Sequence, residues 1–179
     1  MANVLVPLAQ GCEELEAITV IDLLRRAGIN VTSAGLDEKP VTASRGVVLI
    51  PDTDLNSALK KDYDMVVLPG GLPGADHLNN DVRLRERLTD MAESGKYVAA
   101  ICAAPKVLAG TGLLKNKKAT CYPGVLDELG ITSEATAIVE DGNIITSRGP
   151  GTAMDFALTL IEKLSGKEKR DEVEKGLVR

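Results

Sequence analysis

The stretch Tyr97-Val-Ala-Ala-Ile-Cys-Ala-Ala-Pro105 carries the pattern that organises the whole chain. Its first five residues form an apolar run of strand length. Pro105 suits the first turn of a helix, because proline lacks the N–H group that this position leaves unpaired. A buried strand that turns directly into a helix is typical of a parallel sheet covered by helices.

The same alternation of strand and helix continues on both sides of this stretch. Gly28 and Gly95 each follow a helical segment, where a left-handed cap is common, and Asp141-Gly-Asn143 indicates a tight hairpin. This alternation predicts one α/β domain over residues 1–179, with a mostly parallel central sheet covered on both faces. The predicted strands are residues 3–9, 30–34, 41–44, 47–50, 65–68, 97–101, 119–122, 137–140 and 144–147. The predicted helices are residues 13–27, 81–94, 104–109 and 152–164, with a charged surface helix in 167–179.

The composition argues against several classes of function. Of 179 residues, 21 are Lys or Arg and 26 are Asp or Glu, so the net charge is −5. With three Tyr, one Phe and no Trp to stack on bases, we expect no nucleic-acid partner. No apolar run approaches the roughly 20 residues of a membrane span, so we expect no membrane partner. Residues 1–10 lack the basic start of a signal peptide, and the cysteines are odd in number, which together favour a cytoplasmic protein with free thiols.

Ligands of open parallel sheets bind beyond the carboxyl ends of the strands. Four predicted loops lie there, at residues 10–16, 69–74, 102–105 and 148–152. The second and fourth loops are rich in glycine and could bring backbone N–H groups close to a bound oxyanion. Neither loop matches a phosphate-binding or dinucleotide-binding glycine pattern, so no nucleotide cofactor is predicted.

Cys102 is the strongest candidate for chemistry. It lies between the end of a buried strand and the start of a helix, which is the position of a nucleophile on a strained elbow turn. A helix N-terminus stabilises a thiolate, so this position predicts a lowered pKa for the Cys102 thiol. The alternative interpretation is a small buried apolar residue, as most free cysteines are.

A carboxyl group is the second candidate. At about 100° per residue, Glu16 falls between Val20 and Leu23 on the apolar side of its helix. Burial there would raise the pKa of the carboxyl and leave it able to donate a hydrogen bond or transfer a proton. Glu13 lies on the same side, so the pattern alone does not choose between the two.

His77 is the only histidine, and one histidine with three scattered cysteines makes no zinc site. A Cys–His dyad with Cys102 and a plain surface histidine are both compatible with its position, and the surface is favoured. Cys12 and Cys121 carry no pattern of their own and are interpreted as structural.

Four motifs occur in order along the chain: Gly11-Cys-Glu-Glu-Leu-Glu16, Val67-Leu-Pro-Gly-Gly71, Ala100-Ile-Cys-Ala-Ala-Pro105 and Thr146-Ser-Arg-Gly-Pro-Gly-Thr152. Together they resemble the ThiJ/PfpI superfamily, nearest the branch of YajL and the human parkinsonism-associated protein deglycase. The resemblance covers nearly the whole chain. It implies a flavodoxin-like three-layer sandwich and a homodimer, and a site that needs no cofactor, metal or glutathione.

The resemblance also implies roles for single residues. Cys102 is similar to the elbow cysteine of the family and Glu16 to its protonated partner, which favours Glu16 over Glu13. Gly71 and Ala103 match the positions whose backbone N–H groups form an oxyanion pocket.

Three further residues are implied at the substrate site. Arg45 and Arg26 match basic residues that approach the site of the neighbouring subunit in close relatives. Tyr122 occupies about the position at which several relatives carry a histidine. A tyrosine is no base near neutral pH, so a Cys–His–acid protease triad is not expected here.

The resemblance implies a glyoxalase or protein deglycase that acts on methylglyoxal-type α-oxoaldehydes or on their early adducts with proteins. The alternative is an oxidative-stress redox sensor or chaperone that uses an oxidisable Cys102. A cysteine peptidase or amidase is a weaker third hypothesis. An inactive domain with a buried cysteine is the fourth.

Overall fold

The computed structural model describes all residues, 1–179, and contains nine strands and seven helices. The strands are β1 (Asn3–Leu8), β2 (Asn30–Gly35), β3 (Val41–Thr42), β4 (Val48–Leu49), β5 (Thr53–Asp54), β6 (Met65–Leu68), β7 (Tyr97–Ile101), β8 (Ile138–Asp141) and β9 (Ile144–Ser147). The helices are α1 (Glu14–Arg26), α2 (Leu55–Ala58), α3 (Gly74–Asn80), α4 (Val82–Glu93), α5 (Pro105–Gly110), α6 (Ala153–Ser165) and α7 (Lys167–Gly176).

Seven strands form one sheet in the order β5-β2-β1-β6-β7-β9-β8, and β3 pairs with β4 in a separate small ribbon. Every neighbouring pair in the large sheet is parallel except β8 and β9, which form the predicted hairpin. Val4 of β1 lies opposite Val31 of β2 and Met65 of β6. The predicted α/β class with a mostly parallel sheet is confirmed. The strand order changes direction between β1 and β6, and ligand sites lie beside such a point in this class of sheet.

The sheet separates two apolar cores, which makes three layers. Along β1, Val4 and Val6 belong to a cluster of 27 buried residues, whereas Leu5 between them belongs to a cluster of 22 on the other face. Successive side chains of a strand point to opposite faces, so both faces of the central strands are buried. The first cluster is covered by α1 and α6 and contains Phe156, and the second contains Tyr63, whose hydroxyl donates to the carbonyl of Ala58 at 3.1 Å.

The prediction of a strand at residues 119–122 is wrong. Strand β9 already pairs with β7 on one side and β8 on the other, so no edge is free for this segment. It is held instead by separate hydrogen bonds. Thr120 N donates to Thr146 Oγ1 at 2.9 Å, and Tyr122 N donates to the carbonyl of Cys102 at 2.8 Å.

The carboxyl-terminal segment forms α7, a charged helix packed on α6, as predicted. Val173 is its one buried residue, at 6% exposure. No helix of the chain has the length and apolar character needed to cross a bilayer.

Candidate active site

Cys102 lies on a strained turn between β7 and α5. Its φ angle is 64°, a left-handed conformation that residues other than glycine adopt rarely and at a cost of about 1–3 kcal/mol. The turn is held from both sides, because Cys102 N donates to the carbonyl of Ser147 at 3.0 Å and the Cys102 carbonyl accepts from Tyr122 N at 2.8 Å. The structure therefore places this cysteine on an elbow of the predicted kind.

Glu16 lies in the first turn of α1 and is fully buried. Its Oε2 accepts a hydrogen bond from Gly70 N at 2.7 Å, whereas its Oε1 has no hydrogen-bond partner. Burial raises the pKa of the Glu16 carboxyl to about 7, although the Gly70 N–H and the Cys102 thiol pull it down. The raised pKa expected from the helical pattern is thus found at Glu16, which exchanges a proton near neutral pH.

Two glycines allow the acid and the cysteine to approach each other. A Cβ on Gly70 would lie 2.7 Å from Cys102 Cβ and 2.8 Å from Glu16 Oε2, so no side chain fits between them. Gly71 has a φ angle of 86°, and a Cβ there would lie 2.4 Å from Glu13 N. Any larger residue at either position would push β6 away from α1 or from the elbow.

The Cys102 sulfur is close to the backbone N–H groups of Gly71 and Ala103, which lower its pKa. Burial and the neighbouring Glu16 carboxylate outweigh them and raise the pKa of the thiol to about 12. The lowered pKa predicted from sequence position is therefore wrong. Helix α5 begins only at Pro105 and has six residues, so it supplies little of the helix-terminal stabilisation on which that prediction depended.

The four loops predicted to form the site do converge. They border one cavity of about 370 Å³, to which each of them contributes at least one residue. Two further segments, at residues 44–45 and 122–125, complete its wall. The lining residues are Glu13, Ser44, Arg45, Gly71, Leu72, Cys102, Ala103, Tyr122, Val125 and Pro150.

The structure places Glu13 and Glu16, which the sequence pattern could not distinguish, in different surroundings. Glu13 caps α1, where its Oε1 accepts from Leu15 N at 3.3 Å, and its Oε2 accepts from Ser44 Oγ at 3.0 Å. It is half-buried in the cavity wall and adds negative charge near Glu16. Glu16 instead lies beneath the cavity, against Gly70 and the elbow.

The basic candidates lie in different places. Arg45 borders the cavity of its own chain, with its backbone N–H donating to Glu14 Oε1 at 2.8 Å. Arg26 lies at the far end of α1, about 15 Å along the helix from Glu16, where Nε contacts Asp22 Oδ2 at 2.8 Å. Within one chain, only the first of these two arginines reaches the site.

The remaining polar candidates lie outside the cavity. His77 borders a different cleft, beside Asp37 and Asn80, so a dyad with Cys102 does not form. Cys12 and Cys121 are fully buried, with 0% and 1% exposure, while Cys102 keeps 8% and faces the cavity. No group of three or more His, Cys, Asp and Glu side chains is arranged to hold a metal ion.

Sequence reasoning missed Ser44, Leu72 and Val125 in the cavity wall and did not foresee that Gly70, rather than Gly71, holds the acid. The double glycine after a buried strand was the only local signal for the latter. The other three are ordinary residues in loops, and their positions depend on how distant segments pack.

The fold and the site define a class: three-layer α/β proteins with a cysteine on an elbow turn, paired with a buried glutamate at the carboxyl edge of a parallel sheet. The model of the DJ-1/PfpI family matches residues 2–163, and the chain belongs to this family. It is 46% identical to protein dj-1beta of Drosophila melanogaster over 98% of this chain and 96% of that protein.

Other members extend this comparison. The crystal structure of Drosophila melanogaster DJ-1beta superposes with a TM-score of 0.95 over 99% of this chain and 97% of that one. Toxoplasma gondii DJ-1, solved in an oxidized form, superposes with a TM-score of 0.95 at 37% identity over 99% of this chain and 98% of that one. Glutathione-independent glyoxalase DJR-1.2 of Caenorhabditis elegans is 36% identical over 98% of this chain and 95% of that protein.

Proposed function

We propose that the chain is a glutathione-independent glyoxalase that converts α-oxoaldehydes such as methylglyoxal to α-hydroxy acids. One observation carries this proposal: a cysteine on an elbow turn, facing the cavity, packs directly against a buried carboxyl whose pKa lies near neutrality. Conversion of an α-oxoaldehyde to a hydroxy acid oxidises one carbon and reduces its neighbour. This reaction requires a nucleophile that binds the aldehyde carbon and an adjacent group that accepts and donates protons at pH 7. The similarity to a glyoxalase of Caenorhabditis elegans supports the same chemistry.

The first step forms a bond between Cys102 Sγ and the aldehyde carbon. Because burial keeps the proton on the sulfur and the thiol lies against the Glu16 carboxyl, Glu16 acts as general base and takes that proton as the bond forms. The carbonyl oxygen gains negative charge and lies near the N–H groups of Gly71 and Ala103, which stabilise it. Proton return from Glu16 to this oxygen gives a neutral hemithioacetal.

The second step moves hydrogen between two carbons. Glu16 removes the proton from the former aldehyde carbon, and the electron pair passes to the neighbouring ketone to give an enediol. Reprotonation at the second carbon gives a thioester of Cys102, and water hydrolyses it to the hydroxy acid and the free thiol. One carbon is oxidised and its neighbour is reduced, so the balance needs only the aldehyde and water.

An isotope experiment tests this route. Methylglyoxal consumed in D2O without glutathione should give lactate that carries deuterium at carbon 2, because the proton on Glu16 exchanges with solvent. Lactate with the original hydrogen at carbon 2 would indicate hydride transfer and overturn the step assigned to Glu16. No lactate at all would overturn the function.

The same chemistry extends to early aldehyde adducts on protein side chains, because their hemiacetal and hemithioacetal forms release the free aldehyde. Removal of an adduct from a protein faster than the adduct dissociates by itself would establish direct repair. Equal rates would show that only free aldehyde is a substrate.

A second function, redox sensing with a protective or chaperone role, is favoured by the exposure of the cysteines. Cys102 alone faces a cavity, and a relative has been solved in an oxidized form. Two equivalents of peroxide would convert the thiol to a sulfinic acid and release two waters. Intact mass after mild peroxide should show two added oxygens on Cys102, and oxidation of Cys12 or Cys121 instead would count against sensing.

We also propose that the chain forms a homodimer, as the family resemblance implies. Leu15 and Ile18 on α1 are about half exposed, at 50% and 46%, and Val48 on β4 is exposed at 59%. Apolar surface of this kind is typical of an interface. Light scattering should give twice the monomer mass, and Ile18→Asp should return the monomer mass. In such a dimer, Arg26 and Arg45 would be the residues to test for contacts with the site of the partner.

A further inference from the structure

The wall of the active-site cavity divides into two chemically different groups. Glu13, Ser44 and Arg45 are polar and lie in the linked segments at the start of α1 and after β3. Leu72, Tyr122, Val125 and Pro150 form the second group, which we call the apolar wall. Such a set of side chains around a nucleophile suits a substrate with an apolar part.

The apolar wall is exposed to a degree that packing does not explain. Leu72 is 56% exposed and Tyr122 is 52% exposed, although both lie beside the nucleophile. Tyr122 is one of only four aromatic residues in the chain. Exposed apolar groups that border a cavity are available to contact the apolar part of a ligand.

Tyr122 is held in place relative to the reacting sulfur. Its backbone N–H donates to the carbonyl of Cys102 at 2.8 Å, and Val125 N donates back to the Tyr122 carbonyl at 3.1 Å. The ring lies over Gly149, where a Cβ would be 3.6 Å from Tyr122 Cδ2. The apolar wall is therefore fixed to the elbow that carries the nucleophile.

The size of the cavity exceeds the need of the smallest substrate. Its volume is about 370 Å³, within the range of about 300–1,000 Å³ typical of sites for much larger ligands. Methylglyoxal has only three carbons. A substrate of that size would leave most of the apolar wall in contact with water.

The closed side of the pocket determines which way a longer substrate extends. Gly70 packs so tightly against Cys102 Cβ and Glu16 Oε2 that not even a Cβ fits at its position, so this side of the cysteine is closed. When the aldehyde oxygen faces the N–H groups of Gly71 and Ala103, the substituent on the ketone carbon has room only in the open cavity, which Leu72 and Tyr122 border.

We propose that the site selects α-oxoaldehydes whose ketone carbon carries an extended apolar substituent, and that Leu72 and Tyr122 are the residues that determine this specificity. This inference rests on the proposed glyoxalase function. The substituent contacts the apolar wall in both the bound substrate and the transition state. This contact therefore lowers KM and leaves kcat largely unchanged.

The test is a series of alkylglyoxals with methyl, ethyl, propyl and butyl substituents, which share one electrophilic group and differ only in apolar length. We expect kcat/KM to rise by about 2- to 4-fold for each added methylene, because a fully buried methylene contributes about 0.8 kcal/mol. Leu72→Ala and Tyr122→Ala should each flatten this rise. Leu129→Ala is the matched control, since Leu129 is 52% exposed and lies outside the cavity, and it should keep the slope of the parent.

The outcomes separate this inference from the function on which it rests. Methylglyoxal turnover with a flat or falling profile overturns the specificity and leaves the glyoxalase function standing. A rising profile that both cavity variants retain also overturns the assignment to Leu72 and Tyr122. Failure to consume any member of the series overturns both proposals. Both cavity residues are more than half exposed, so their variants are expected to fold, and circular dichroism checks this.

Discussion

The carboxyl edge of the sheet differs from its two helix-covered faces in side-chain chemistry and in backbone conformation. On the faces, residues such as Leu5 and Leu88 are fully buried and apolar, and the backbone is regular. At the edge, Cys102 has a left-handed φ angle and Glu16 is a buried acid with one unpartnered oxygen. Both features cost free energy, so the faces supply the stability that lets the edge keep a reactive arrangement. Four substitutions test this division between a stable scaffold and a reactive edge.

The largest expected effect is the loss of activity in Cys102→Ser. A serine hydroxyl is a much weaker nucleophile than a thiol and Glu16 is too weak a base to activate it, so methylglyoxal consumption should fall at least about 1,000-fold. The melting temperature should change little, because the two side chains are similar in size. Cys121→Ser, also buried, is the control for cysteine loss. A serine variant as fast as the parent would falsify the covalent mechanism.

A substitution on a covered face should have the reverse effect. Leu88 on α4 is fully buried in the cluster of 22 residues, and Leu88→Ala should lower the free energy of unfolding by about 2–5 kcal/mol. Below the melting temperature, kcat/KM should stay within about 2-fold of the parent, since α4 contributes no residue to the cavity. Urea denaturation and steady-state kinetics measure the two quantities. A large loss of kcat/KM in the folded variant would show that edge and face are not independent.

Glu16→Gln should make the protein more stable while it removes the proton carrier. The pKa of Glu16 is about 7 in the folded chain and about 4.3 when unfolded, so the folded state binds the extra proton between these values. The parent therefore loses stability as the pH rises from about 4 to 7, and the variant does not.

The free energy of unfolding of Glu16→Gln should equal that of the parent near pH 4 and exceed it by up to about 4 kcal/mol at pH 8, measured by urea denaturation at both values. Glu13→Gln should show only a smaller growth of the same sign, because it removes the neighbouring charge that helps to raise the pKa of Glu16. A variant less stable than the parent at pH 8 would contradict a destabilising charge at Glu16.

The smallest effect is expected for Ser44→Ala. The Ser44 hydroxyl lies 3.0 Å from both Glu13 Oε2 and Glu14 Oε2, and joins the segment after β3 to the start of α1. Loss of this half-buried contact should cost about 1 kcal/mol of stability. Thr42→Ala, on the exposed side of β3, is a suitable comparison. If Ser44→Ala lowered the free energy of unfolding as much as Leu88→Ala, the contacts at the start of α1 would be among the main sources of stability.

Apolar runs and glycine caps are local properties, so the amino-acid sequence was enough to predict the alternation of strands and helices. It also predicted the elbow at Cys102, since only two residues separate the end of the predicted strand at Ile101 from the start of the predicted helix at Ala104, which leaves room only for a tight turn. The position of the four loops followed from the direction of parallel strands.

Other features of the site and sheet depend on contacts between segments that are distant along the chain, and the three-dimensional structure was needed to establish them. The pattern of apolar residues left Glu13 and Glu16 open, the family resemblance favoured Glu16, and the structure gives the reason: Gly70, in the loop after β6, donates to the buried Glu16 carboxyl, whereas Glu13 caps its own helix. It showed that residues 119–122 form no strand, since both edges of β9 are occupied. It also reversed the expected direction of the Cys102 pKa, because desolvation and the charge of a neighbouring acid depend on three-dimensional packing, which no local pattern encodes.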